Sequence, residues 1–308
     1  MSVGVRRLDS APSALANYAR ASLGVIPGSG RLPFLAGGGG EVPDTVFELD
    51  GVTADLDQLA AYCRVCGFTL RETLPATYPH VLAFPLHLAL MTDPSFPLPA
   101  IGSVHFANTI TQRRPIRVGE ELSLHVHSTK LEPHPKGRMF TLVTEARVGD
   151  EVVWESGSTN LRRGASEDAG GPEGAVGDER AASGDKDTPF ALDVSGLPTE
   201  AEWRLGGDLG RRYAAASGDR NPIHLYGLTA KAFGFPQQIA HGMWTKSRCL
   251  AQLESRLSSS FTVEVAFKRP ILLPGKVQFA SDADDGGAVA FAVRDPSGTP
   301  HLAGRITP

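Results

Sequence analysis

Tyr213 to Gly242 reads YAAASGDRNPIHLYGLTAKAFGFPQQIAHG. It holds an acid, Asp219, and a histidine, His224, separated by a loop and a helix start. Asn221 suits an N-cap, and Pro222 suits the first helical position, where its missing N–H costs nothing. His224 then falls in a first helical turn, whose positive dipole end disfavours imidazolium. A ring kept neutral near pH 7 can take a proton. Gly218 permits a sharp backbone turn before the acid. His241-Gly242 precedes a helical run, MWTKSRCLAQLE. A glycine at a helix N-terminus offers an open N–H that can stabilise an oxyanion.

Residues 213–230 resemble the hydratase 2 motif of MaoC-like (R)-specific enoyl thioester hydratases and dehydratases. The matching positions are Tyr213, Ser217, Gly218, Asp219, Asn221, Pro222, Ile223, His224 and Ala230. Ala216 departs from the larger aliphatic residue or glycine usual in the family, which touches packing and not chemistry. The resemblance implies reversible hydration of a trans-2-enoyl thioester to the (R)-3-hydroxyacyl thioester. It implies Asp219 and His224 as the pair that holds and activates water, with the Gly242 N–H meeting the thioester oxygen. No metal or redox cofactor is called for. The thioester carrier is CoA or an acyl carrier protein. Substrate-binding candidates are Asn221, Ser217, Lys246 and Arg269; Arg248 and Lys268 are further cations near the site in sequence that could pair with phosphates.

The chain has 308 residues, 41% of them hydrophobic, which is enough for two domains of ordinary size. A net charge of −4 without a basic block argues against nucleic acid as a partner. No apolar run reaches the length of a membrane span, and the N-terminus lacks a signal-peptide core, so the expected place is the cytoplasm. Three cysteines do not make a disulfide framework. Cys63 and Cys66 form a lone C-x-x-C without further zinc ligands nearby and read as core thiols.

Taken in order, residues 1–163 form a first half. It opens with a short helix candidate, Ala11 to Leu23, and a loose stretch around Gly37 to Gly40. Periodicity predicts a strand at Val46–Leu49, a helix at Leu56–Val65 and a buried helix over Val81–Met91, followed by four strands. Residues 164–187 are rich in Gly, Ala, Ser and acids and read as a disordered linker. Residues 188–308 form a second half: a strand near Phe190–Val194, a helix near Asp208–Ala216, the motif, a helix from Gly242 and four strands.

The halves echo one another. Arg114-Pro115-Ile116 with Gly119 resembles Arg269-Pro270-Ile271 with Gly275, and Tyr62 with Gly67 resembles Tyr213 with Gly218. Ala83 before Pro85 is set against Ala240 before Gly242. Repeated spacing in one order argues for a duplicated unit. The fold expected is α+β and resembles a double hot dog, in which each antiparallel sheet wraps a central helix, here about Pro85–Thr92 and Gly242–Leu253. The first half lacks the Asp-x-Asn-Pro-x-His pattern, so it reads as catalytically degenerate and free to hold the acyl tail around Leu74 to Met91. A monomer or a homodimer of such chains satisfies this arrangement. Two rival functions remain: a hot-dog acyl-CoA thioesterase, and a non-catalytic acyl-thioester-binding partner subunit.

Overall fold

The computed structural model describes residues 4–13, 16–18, 41–98, 103–163 and 192–308. The linker expected at 164–187 and the glycine run at 37–40 lie outside the described residues, as does most of the helix expected at 11–23, of which 16–18 are helical.

The first half begins with β1 (Gly4–Leu8), β2 (Thr45–Val52), helix α1 (Leu56–Cys66) and helix α2 (Tyr78–Met91). Strands β3 (Ser103–Gln112), β4 (Leu122–Ser128), β5 (Glu132–His134), β6 (Gly137–Val148) and β7 (Glu151–Arg163) follow. The second half runs β8 (Thr199–Leu205), α3 (Leu209–Ser217), α4 (Pro222–Leu225), α5 (Gly227–Ala232) and α6 (Gly242–Gln252), then β9 (Phe261–Phe267), β10 (Gly275–Ala283), β11 (Val289–Arg294) and β12 (Pro300–Thr307). Of the strand expected near Phe190–Val194, residues 190 and 191 lie outside the described residues and 192–194 are irregular; the first strand described in this half starts at Thr199.

One continuous sheet runs β1-β2-β4-β6-β7-β3-β9-β12-β11-β10-β8. Read outward from β3 and β9, the two sides mirror each other. Strands β7, β6, β4 and β2 on one side correspond to β12, β11, β10 and β8 on the other. The seam is the antiparallel β3–β9 pair, which aligns Ala107 with Ala266 and Gln112 with Phe261. Helix α2 packs on β2, β4 and β6, and α6 packs on β11, which is the double hot-dog arrangement. Helices α1 and α3 lie against each other across the two halves. Alternation explains the strands. Leu122, Leu124 and Val126 of β4 point to the core and are at most 1% exposed, while their neighbours on the chain are only partly buried.

The duplication is more regular than the sequence spacing suggests. Helix α1 ends at Gly67 (φ 87°) and α3 at Gly218 (φ 78°), both left-handed caps. The Leu74 N–H donates to the Ile116 carbonyl, and the Ala240 N–H to the Ile271 carbonyl. This sets Leu74, not Ala83, opposite Ala240. Helix α2 accordingly starts at Tyr78, not Pro85: Pro79 occupies the first turn, where a missing N–H is harmless, and Pro85 lies inside the helix. Residues 68–77 therefore do in the first half what residues 219–241 do in the second. Residues 68–77 hold no counterpart of α4 and α5.

Among the described residues no helix is long and apolar enough to cross a membrane. Cys63, Cys66 and Cys249 are free and buried. Burial pushes the Cys63 thiol up to about 11, as expected of a core thiol and not of a metal ligand.

Candidate active site

The site is assembled at the C-terminal end of α3. Gly218 turns the chain, and the Asp219 N–H donates to Ser217 Oγ at 3.2 Å, which fixes the loop. Asp219 Oδ1 accepts from the Asn221 N–H at 3.1 Å and from the Tyr18 hydroxyl at 2.9 Å. The same hydroxyl accepts from the Arg220 N–H at 2.8 Å. Asn221 caps α4 by accepting from the Ile223 N–H, and Pro222 follows at the first helical position, as its sequence predicts. Ser217 and Asn221 thus use polar atoms to brace the loop.

His224 is 8% exposed, and its Nδ1–H donates to the Ile239 carbonyl at 2.8 Å. That bond fixes the tautomer and leaves the Nε2 lone pair free. His241, 2% exposed, stacks on His224 with ring centroids 3.7 Å apart, and Tyr213 closes the far side at 4.7 Å. His241 Nε2–H donates to the Asp219 carbonyl at 3.1 Å and lies 3.9 Å from Asp219 Oδ2. Among the described residues its Nδ1 has no partner.

Asp219, His224 and His241 each bring one carboxylate or imidazole atom within 4.8 Å of the others. Two hydrogen bonds of about 2.8 Å meeting at a water span roughly 4.5 Å, so one water can join an acid oxygen to a ring nitrogen. The Asp219 side chain keeps 27% of its exposure, which leaves water a way in. The same three atoms could also grip a small cation.

Burial opposes charge on all three groups. It pushes His224 below the usual 6.5, against the pull of the Asp219 carboxylate and the Ile239 carbonyl. It drives His241 down to about 3, helped by His224. Burial also works to raise Asp219, but His241, His224, the Asn221 N–H and the Tyr18 hydroxyl outweigh it, and the carboxyl lies below 3.8. The resting state is a carboxylate beside two neutral rings. The neutrality of His224 comes from burial; α4 has only four residues, too short for the dipole effect expected from the sequence.

Gly242 opens α6 directly after His241, whose side chain does not cap the helix. The first N–H groups of α6 therefore lack intrahelical partners at the edge of the site. A methyl at Gly242 would lie 3.0 Å from the Phe267 ring, so any larger residue there would have to push that ring aside. The first half supplies another wall. Phe84 of α2 lies 3.9 Å from where a methyl on Gly218 would stand, and His105 of β3 meets the Phe267 ring at 4.9 Å.

Two other candidates fall elsewhere. Lys246 is fully buried, with Nζ bonded to the Asn108 carbonyl and Oδ1 and to the Val263 carbonyl across the β3–β9 seam. It cannot reach a substrate phosphate; burial pulls its pKa well down, and three acceptors use up its donors. Arg269 is exposed, its main chain tied to His301.

Gly210 explains how α3 presses against the motif. A methyl there would sit 1.9 Å from the His224 carbonyl oxygen. Gly210→Ala is expected to destabilise the protein by about 1–3 kcal/mol or more and to lower turnover by displacing His224. Thermal melts and kcat check both.

The MaoC like domain matches residues 199–288, which include the whole loop. The 3-hydroxyacyl-thioester dehydratase X of Mycobacterium tuberculosis is 33% identical over 295 residues, 96% of this chain and 98% of its own length. This chain belongs to the MaoC-like dehydratase family. A crystal structure of HtdX from the same bacterium matches with a TM-score of 0.71 at 32% identity, over 85% of this chain and 98% of that one. A MaoC-like dehydratase from Phytophthora capsici shares the fold, with a TM-score of 0.67 at 17% identity, over 85% and 94% of the two chains.

Within this MaoC-like site, sequence reasoning missed Tyr18, which lies 201 positions from Asp219 with no pattern to link them. In the sequence His241 stands out only as the residue before Gly242. The spacing His224 to His241 does not signal a stacked pair, because an intervening loop and α5 set the geometry.

Proposed function

We propose that this MaoC-like chain interconverts trans-2-enoyl and (R)-3-hydroxyacyl thioesters, carried on CoA or an acyl carrier protein. The observation that supports this most is the meeting of the Asp219 carboxylate and a neutral His224, each able to hold one water, beside the open N-terminus of α6. His224 Nε2 takes a proton from the water as oxygen adds to the β-carbon. The proton is returned to the α-carbon from the same side, with Asp219 orienting the water and sharing the transfer. The Gly242 N–H meets the negative charge that develops on the thioester oxygen; one such donor is typically worth roughly 3–4 kcal/mol. His241 holds the Asp219 backbone and stacks beneath His224. The acyl tail runs toward the first half, past Phe84 and Phe267, and Arg269 lies outside for the carrier.

Incubation with crotonyl-CoA tests this reading. Loss of the enoyl absorbance without release of free thiol is expected. Release of thiol would identify a thioesterase, and binding without either change a non-catalytic acyl-thioester subunit. Turnover is also expected to survive thorough chelation; loss that a divalent ion restores would assign the three side chains to a metal.

Tyr18 acts here as a positioning residue. Tyr18→Phe removes one hydrogen bond to a charged acceptor, worth about 1.5–3 kcal/mol, so kcat should fall roughly ten- to a hundredfold. Because the hydroxyl helps keep the carboxyl ionised, the acid limb of the pH–rate profile should move to higher pH. An unchanged rate and profile would remove Tyr18 from the site.

A further inference from the structure

The duplication gives the catalytic cleft a counterpart in the first half. Gly218, the cap of α3, faces Phe84, the seventh residue of α2. Gly67, the cap of α1, faces Arg248, the seventh residue of α6; a methyl on Gly67 would collide with its guanidinium. The copy of the cleft has therefore exchanged an aromatic wall for a cation. The space at Gly67 is an open cavity of about 420 Å³. Arg64, Arg204, Arg212, Arg248, Trp203 and Trp244 line it.

Its charges are not internally balanced. Arg212 pairs with Asp208 at 3.0 Å, and Glu202, in the same wall, pairs with Lys276 at 2.6 Å. Among the described residues Arg64, Arg204 and Arg248 have no carboxylate within ion-pair distance. Arg248 lies over the Trp203 ring at 5.0 Å, which holds its planar group in place. Trp203 is 7% exposed, and among the described residues its indole N–H has no acceptor.

We propose that this cavity is a second, non-catalytic site for a small phosphate-bearing ligand. Guanidinium groups match phosphate oxygens in bidentate fashion, and the Trp203 ring steadies that of Arg248. A concave cleft of this size suits a small anion better than the surface of an acidic protein. The inference rests on the duplicated fold and the lining residues, and it stands apart from the hydration chemistry.

Two of the three tryptophans line the cavity, so intrinsic fluorescence of the full chain can report binding. Titration with inorganic pyrophosphate and with adenosine 3′,5′-bisphosphate should each give a saturable change. Their order of affinity tells a bare phosphate site from a nucleotide site. The double variant Arg64→Gln/Arg204→Gln changes exposed side chains only, and should weaken binding about tenfold or more while hydration of a short enoyl thioester is unchanged. The proposal is overturned if neither probe binds at millimolar concentration, if the double variant binds as tightly as the parent, or if an acidic carrier protein alone produces the signal.

Discussion

Replacing His224 by alanine, or Asp219 by asparagine, is expected to lower kcat for enoyl thioester hydration by about a thousandfold or more. A positioned general base alone contributes roughly 10²–10⁴ in rate. Asp219 adds to this because the loop is built around it: its Oδ1 takes two donors, from Asn221 and Tyr18, and its backbone carbonyl takes a third, from His241. Asparagine can keep some of those contacts but offers no charge to the water. Neither change cuts into the main hydrophobic core, so the melting temperature should move little. Single-turnover rates separate the chemical step from binding. Near-parental turnover in either variant would refute the assignment of roles.

Acid should unfold this protein early. His80, His87, His224 and His241 are all buried, at 8%, 2%, 8% and 2% exposure. Burial is the first cause in each case, and it lowers all four, His87 and His241 to about 3. In the unfolded chain the same rings protonate near 6.5. Stability from these rings is therefore intact above pH 6.5 and is lost as pH falls below it, since the unfolded state then binds protons that the folded state refuses. Each ring contributes up to about 1.4 kcal/mol per pH unit. The three rings held lowest, His80, His87 and His241, together lose roughly 5 kcal/mol between pH 6.5 and 5, comparable with the whole stability of a marginal domain. Asp219, held below 3.8, adds nothing in that window. Thermal melts should show a melting temperature that is level above neutrality and drops steeply toward pH 5. A level profile down to pH 5 would contradict the burial of these rings.

Much of this was legible in the sequence because it is local. Strands such as Leu122–Ser128 show a period of two, and the cap, proline and histidine of Asn221-Pro222-Ile223-His224 announce their own geometry. The start of α2 was missed because Pro79 and Pro85 carry the same local signal, and only the pairing of Leu74 with Ile116 decides between them. Lys246 looked like a surface cation because helical spacing says nothing of the seam it enters, where Asn108 and Val263 arrive from strands far away in the chain. Tyr18 and His241 reach the acid by long-range packing, which leaves no periodic trace. In the sequence the histidines on α2 sit within an apolar run; their burial and the hydrogen bond between His87 Nε2 and Thr144 Oγ1 depend on β6 closing over the helix.

The central claim is that a single pocket in the second half holds one water and delivers its parts to one face of the double bond. Hydration of crotonyl-CoA in deuterium oxide, with the product analysed by NMR and chiral separation, tests it most directly. The account predicts (R)-3-hydroxybutyryl-CoA carrying one deuterium at C2, on the same face as the new oxygen. A mixture of configurations at C2 or C3, or an (S) product, would contradict it.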